Sequence, residues 1–231
     1  MSLILNIDTA IESCSVSLTT KDELIDVHTN ENRNEHSAWL HIAIEQMMKN
    51  AGFSFKELTA VAVSNGPGSY TGLRIGLSAV KGLCYALNIP LITYSTLDVM
   101  AKAAPDLIPG SFENTSLLCP MIDARRMEVY FAVYDQQINT IIEPRAAIID
   151  KEIFDSLLKD NPVIFFGNGS HKLADILNDT RAIFKDFNFF GAAHMQKKSW
   201  HYYDNHIFSS LDLTEPLYIK GFHDSLKSAA S

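Results

Sequence analysis

Two aspartates and one glycine loop are the parts of this sequence best suited to chemistry. Asp8 ends the apolar run LILNI (residues 3–7), and Asp123 ends a second apolar run with the same Ile-Asp step 115 residues later. A carboxylate at such a strand end can hold a metal–nucleotide complex for phosphoryl transfer. The other reading is that each aspartate caps its own hairpin turn through its side chain. The Thr9–Ser13 turn lacks the glycines that let a phosphate approach a hairpin, which favours capping.

The loop is NGPGSYTGLRIG (65–76), four glycines in twelve residues between an apolar run and a helix-like pattern. It does not fit the GxxxxGK[ST] phosphate loop, and its spacing misses GxGxxG by one residue. Two readings are open. The turn could offer backbone N–H groups to an anion at the helix N-terminus, or the glycines could serve a tight turn and close packing. Ser69 and Thr71 are natural helix caps. Gly72 and Gly76 share a helix face, and with Ala79 beside them that face lets another backbone approach.

The histidines offer less. His36 and His41 are five apart, about 140° around a helix, so they form neither a zinc pair nor HExxH. His171, His194, His201, His206 and His223 are scattered, and no GxSxG is present.

These residues need elements to place them. LILNI, SCSVSLT (13–19) and residues 23–28 read as three strands joined by hairpins. Residues 36–50 carry apolar residues at helical spacing, 58–64 form a buried strand, and 70–87 form a second helix ending before Pro90. A strand (91–95) and a helix (97–104) follow. Pro105 and Pro109-Gly110 mark the expected boundary of a first lobe, 1–104. The second lobe, 105–212, opens with LLCPMIDA (117–124), MEVYFAVYD (127–135) and a third strand at 141–149. A strand at 163–167 lies between helices near 151–159 and 171–178. Residues 179–215 show little period, and the tail 213–231 is expected to pack back on the first lobe. NIDTAIESCSVSL (6–18) and MIDARRMEVYFAV (121–133) share an outline, so the chain reads as two copies of one βββαβα unit.

Composition limits the function. The net charge of −8 makes the chain a poor solo binder of nucleic acid, which needs Lys and Arg. Three cysteines far apart in apolar contexts, Cys14, Cys84 and Cys119, read as reduced core thiols. No apolar run of membrane-spanning length is present and the N-terminus reads as a strand, so the expected location is the cytoplasm. Both helices of the first lobe are apolar on more than one stripe, through Trp39, Ala43, Ile75, Ala79 and Ala86, as expected of a buried pair or of a pair that meets another chain.

NIDTA, NEHSAWL, VSNGPGSYTGLRIGLSAVKGL (63–83), MIDARRMEVYFAVY and EPLYIKGF together resemble the TsaB family, also called YeaZ, over most of the chain. The resemblance implies two ribonuclease-H-like lobes of the actin, Hsp70 and acetate and sugar kinase superfamily, an α/β fold of mixed sheets flanked by helices. It also implies kinship with TsaD, which makes threonylcarbamoyladenosine in tRNA and holds its metal with a paired-histidine motif. In the matching stretch PLITYSTLDVM, Thr96 and Met100 stand where those histidines would be. The implied role is therefore non-catalytic, with no metal or cofactor of its own. The implied partners are TsaD directly, TsaE in the larger complex, a second copy when alone, and tRNA only indirectly. The residues expected to meet the partner are His36, Trp39, Leu40, Ala43, Met47, Tyr70, Thr71, Gly72, Arg74, Ile75, Gly76 and Ala79. Asp8, Thr9, Gly66, Gly68 and Ser69 are expected to mark an inherited nucleotide position. The competing expectation is an ATP-dependent phosphotransferase using Asp8 and Asp123, with phosphates near Gly66 to Thr71. A metallopeptidase is the third reading, and Thr96 and Met100 argue against it.

Overall fold

The apolar runs pair into two five-stranded sheets of identical topology. The computed structural model describes residues 2–32, 35–108, 115–150, 152–186 and 191–219. The first sheet has the order β3-β2-β1-β4-β5, from β1 (Leu3–Asp8), β2 (Cys14–Thr19), β3 (Leu24–Asn30), β4 (Leu58–Ser64) and β5 (Leu91–Tyr94). The second repeats it as β8-β7-β6-β9-β10, from β6 (Leu117–Asp123), β7 (Glu128–Tyr134), β8 (Thr140–Ile148), β9 (Val163–Phe166) and β10 (Ala182–Lys185). In each sheet the three hairpin strands are antiparallel and the last two run parallel to the first. Asp8 and Asp123 thus occupy equivalent corners, Asp8 opposite Ser15 and Asp123 opposite Val129.

The helices are α1 (His36–Asn50), α2 (Tyr70–Leu87), α3 (Thr96–Leu107), α4 (Asp155–Asp160), α5 (His171–Ala174) and α6 (Gln196–Asp204). Helices α1 and α2 cover the outer face of the first sheet, where Leu40, Ile44, Met47, Leu77 and Val80 meet Leu5, Val16 and Val63. Burying each large side chain there contributes roughly 1.5–3 kcal/mol. Helices α3 and α6 fill the space between the sheets, where Leu97, Met100 and Trp200 meet Ile92, Ile122 and Phe166. Phe154, Leu158 and Leu173 close the outer face of the second sheet. No helix among the described residues is long and apolar enough to cross a membrane.

Several details differ from the sequence reading. Strand β2 alternates polar and apolar residues, which suggests one wet face, yet every residue of it is buried. Its polar side lies under the 3-10 turn Ala192–Met195 and α6. Ser17 donates to the Ala192 carbonyl at 2.8 Å, and the Trp200 indole donates to the Thr19 hydroxyl at 3.3 Å. Residues 191–209, expected with the second lobe, therefore pack on the first sheet. Helix α3 runs through Pro105 to Leu107 instead of stopping at 104. Pro105 lacks an N–H, so the bond that residue 105 would donate to the Ala101 carbonyl is missing from this last turn. Helix α5 is one turn where eight residues were expected, and α6 and β10 were not expected at all. Pro109 and Gly110 lie outside the described residues, as do Lys220 and those after it.

Candidate functional site

The glycine loop is built against the β1–β2 turn of its own chain. Ser69 caps α2 by accepting the Gly72 N–H at 3.2 Å, and its own N–H donates to the Ala10 carbonyl at 2.6 Å. Thr9 donates its hydroxyl to the Gly72 carbonyl at 2.7 Å. A Cβ at Gly68 would collide with the Ala10 carbonyl oxygen, one at Gly72 with the Thr9 carbonyl oxygen, and one at Gly76 with the Thr9 hydroxyl. Three glycines four residues apart thus form one smooth seat, and the backbone that approaches it is Thr9–Ala10. The N–H groups of Ser69 and Gly72 are already engaged within the chain.

Gly66 serves a different neighbour. It sits at φ +120°, and a Cβ there would lie 2.9 Å from the Leu217 carbonyl oxygen. The Leu217 N–H donates to the Asn65 carbonyl at 2.7 Å. The C-terminal segment is seated on the first glycine of the motif.

Asp8 is sealed beneath this loop, 1% exposed. Its Oδ1 accepts from the Ser64 hydroxyl at 2.6 Å and from the Ala10 N–H at 3.0 Å, while its buried Oδ2 has no hydrogen-bond partner among the described residues. Burial pushes its pKa above the usual carboxylate value, against the lowering effect of those two bonds. A carboxyl without solvent access and biased toward its neutral form is poorly suited to hold a divalent cation. Asp8 braces the strand end, and Thr9 ties the turn to α2.

The two lobes face each other across a cleft of about 760 Å³, lined by Glu12, Ser69 and Thr71 on one side and by Asp123, Arg125 and Asn168 on the other. Asp123 is accessible. Partial burial raises its pKa, but the Lys172 ammonium at 2.7 Å and the Arg125 N–H outweigh that and hold it below the usual value. The lobes thus place one aspartate out of reach and tie the other to a lysine. Thr96 and Met100 are buried at the start and middle of α3, with the Met100 methyl packed against Gly167. Among the described residues no group of three or more His, Cys, Asp or Glu could hold a metal ion.

The expected partner residues divide into two sets. Leu40, Ala43, Met47, Gly72 and Gly76 are buried inside the first lobe, and His36 is also buried. Their side chains, or the smooth faces they leave, meet this chain. Trp39 and Ile75 are half-buried, Ala79 is nearly covered, and Tyr70, Thr71 and Arg74 are exposed. The outer surface of the pair also contains residues outside that expected set. On α1 it includes Ile42, 53% exposed. On α2 it includes Ser78, Gly82 and Ala86, spaced by four and therefore on one face. Gly82 stands apart from the motif glycines, because a Cβ there would meet nothing within 4 Å. Its signal in the sequence was a glycine in mid-helix with no turn to explain it.

The comparisons with known proteins agree with this geometry. Residues 25–207 match the family model described as TsaD: tRNA N6-adenosine threonylcarbamoyltransferase. The chain is 35% identical over 152 residues to the tRNA threonylcarbamoyladenosine biosynthesis protein TsaB of Escherichia coli K12, covering 65% of this chain and 63% of that protein. It is 29% identical over 180 residues to the protein of the same name from Bacillus subtilis 168, covering 76% and 75%. The solved structure of YeaZ from Pseudomonas aeruginosa superposes with a TM-score of 0.77 at 23% identity, covering 94% of this chain and all of that one, which establishes the shared fold. The chain belongs to the TsaD family and, within it, to the TsaB (YeaZ) group.

Proposed function

We propose that this chain is a non-catalytic partner of the TsaD transferase in the synthesis of threonylcarbamoyladenosine in tRNA, and that it docks TsaD on the outer face of α1 and α2. The observation that carries the docking surface is Gly82. A glycine in a helix interior costs about 1 kcal/mol relative to alanine. At Gly68, Gly72 and Gly76 the β1–β2 turn requires it. At Gly82 no part of the described chain does, so close approach by a second backbone is the remaining physical reason. Ser78 and Ala86 continue the small-residue face, and Trp39, Ile42 and Ile75 supply apolar surface beside it.

The pathway is carried by the names of the relatives. The sealed Asp8 and the buried Thr96 and Met100 support a role in which TsaD makes and breaks the bonds. In this picture TsaC supplies threonylcarbamoyl-AMP, TsaE joins the assembled pair, and tRNA reaches this chain only through the complex. The same face covers itself by self-association when TsaD is absent. A phosphotransferase acting through Asp8 has no observation in its favour.

Sedimentation of this protein with TsaD of the same organism tests the reading, using wild type and Gly82→Trp. The open space around Gly82 lets the indole be accommodated without refolding, which circular dichroism checks. Binding by wild type and loss in the variant is the expected result. Undiminished binding by Gly82→Trp would place the interface elsewhere. Absence of wild-type binding would remove the proposal, and ATP hydrolysis by the isolated chain would then be the next assay.

A further inference from the structure

On the flank of α2 opposite α1, the segment 214–218 runs alongside the helix and leaves a groove of about 310 Å³ between them. Arg74 and Lys81 stand on the helix side of it, two turns and about 10.5 Å apart. We propose that this groove docks an acidic stretch of a partner protein, with Arg74 as its main recognition group and Tyr218 as the residue that positions Arg74.

Arg74 is held from two sides. Its guanidinium lies 4.0 Å above the centre of the Tyr70 ring, and its Nε donates to the Tyr218 hydroxyl at 3.0 Å. The Tyr70 and Tyr218 rings are themselves 5.4 Å apart. Tyr218 is fixed in turn because Leu217, its neighbour, sits on Gly66 and bonds to Asn65. A guanidinium fixed in this way presents its remaining N–H groups as a preformed fork, the geometry that matches a carboxylate. Among the described residues neither Arg74 nor Lys81 forms an ion pair. The chain carries 27 acidic against 19 basic side chains, so two cations left unpaired in one groove are not explained by a shortage of carboxylates. The Lys81 ammonium donates to the Thr214 carbonyl at 2.9 Å, which ties the segment to the helix and keeps the charge at the groove.

The lining selects the kind of partner. Leu77 and Pro216 are apolar, and Leu213 and Leu217 are exposed nearby, at 83% and 39%. A protein segment alternating carboxylates with apolar side chains complements both features. Glu215 also lines the groove and opposes any anion placed beside it, so the choice of a protein segment over a nucleic-acid backbone rests on the apolar lining. Ser78 belongs to the groove and to the outer face of α2, so one partner can occupy both. This inference rests on the reading of that face as the TsaD surface.

The test measures binding of TsaD by wild type, Arg74→Gln, Tyr218→Phe and the double variant, with Gly82→Trp as the control for the main face. Tyr218→Phe keeps the ring contact and removes the hydroxyl. Arg74→Gln is expected to weaken binding about tenfold, the size of one charge-assisted hydrogen bond, and Tyr218→Phe about threefold. The double variant should be no weaker than Arg74→Gln, because Tyr218 acts through Arg74. Raising salt should weaken wild type more than Arg74→Gln. If Gly82→Trp abolishes binding while Arg74→Gln and Tyr218→Phe bind like wild type, the groove is overturned and the main face stands. Additive losses in the double variant overturn the positioning role. If Arg74→Gln leaves TsaD binding intact but lowers tRNA affinity of the assembled complex, the groove serves nucleic acid and the protein-partner assignment fails. If wild type does not bind TsaD, both readings fall together.

Discussion

Replacing Gly82 and Gly76 by alanine, one at a time, should move stability in opposite directions within a single helix. Both positions lie inside α2, so both substitutions gain about 1 kcal/mol of helix propensity. At Gly82 the new methyl meets nothing within 4 Å, and the gain stands. For a chain of this size it corresponds to a rise of about 2–4 °C in Tm. At Gly76 the methyl falls on the Thr9 hydroxyl, with the Thr9 Cβ and Cγ2 each 3.4 Å away. Thr9 is fully buried and must rotate, losing its 2.7 Å bond to the Gly72 carbonyl. The lost bond costs about 0.5–1.5 kcal/mol and overpacking about 1–3. Set against the propensity gain, the net effect is a loss of about 0.5–3.5 kcal/mol. Thermal and urea unfolding of the single variants measure both. Thr9→Ala in the Gly76→Ala background removes the colliding atoms and should recover part of the loss. Destabilisation by Gly82→Ala would refute the view that the chain itself does not need this glycine. Stabilisation by Gly76→Ala, or no coupling to Thr9, would refute the seat.

Three further outcomes follow from the interior. Ser199→Ala should cost about 1–3 kcal/mol in urea unfolding, because the buried Asn6 Oδ1 and Tyr94 hydroxyl both lose their partner. Native protein should not react with a thiol reagent at pH 8 and should expose three thiols in denaturant, since all three cysteines are buried and free. Burial pushes Cys14 and Cys84 up to about 12 and Cys119 well above its usual value. Burial also raises the folded-state pKa of Asp8, so the folded protein keeps a proton that the unfolded chain releases above pH 3.8, and this residue's contribution falls as pH rises. Asp8→Asn should therefore gain on wild type between pH 4 and pH 7, while leaving TsaD-dependent tRNA modification intact. The opposite trend would show an ionised, well-solvated Asp8.

Much of the fold was legible because its strands are continuous or alternating apolar runs bounded by turns. The Ile-Asp step and the repeated hairpin outline exposed the duplication, which the matching strand orders of the two sheets display. Segment 179–215 was not legible, for a physical reason. Helix α6, QKKSWHYYD, carries a polar face that is buried, with Ser199 bonded to Asn6 and Lys198 bonded to Asp98. Periodicity detects apolar faces and is silent on a helix whose partners are polar side chains of another lobe. Strand β10, four residues long, is too short to show a period. The site was legible in its motif but not in its neighbours. The four glycines declare close approach, yet the approaching groups are Thr9, Ala10 and Leu217, and no local spacing encodes contacts that distant in sequence.

The two Ile-Asp corners show how the loop laid over a strand end decides whether its carboxylate is enclosed or stays open to the cleft. Both aspartates end the first strand of a five-stranded sheet, and both accept the backbone N–H two residues on, Ala10 for Asp8 and Arg125 for Asp123. What differs is the loop laid over each. Over Asp8, Gly68, Gly72 and Gly76 let α2 descend until Ser69 bonds Ala10 and the carboxyl is enclosed. Over Asp123, Gly169 approaches Ile122 closely, but Asn168 and Lys172 come from the side and leave the carboxylate in reach of the cleft. Closer approach at the first corner removes a charged site and fixes the start of α2. The same helix then presents Arg74, Ser78 and Gly82 to the outside from a rigid base. A docking surface needs that rigidity, because each side chain ordered beforehand is one that binding need not order. Under the proposed docking of TsaD on α2, the glycine motif would serve recognition indirectly, by fixing the helix that carries Arg74, Ser78 and Gly82.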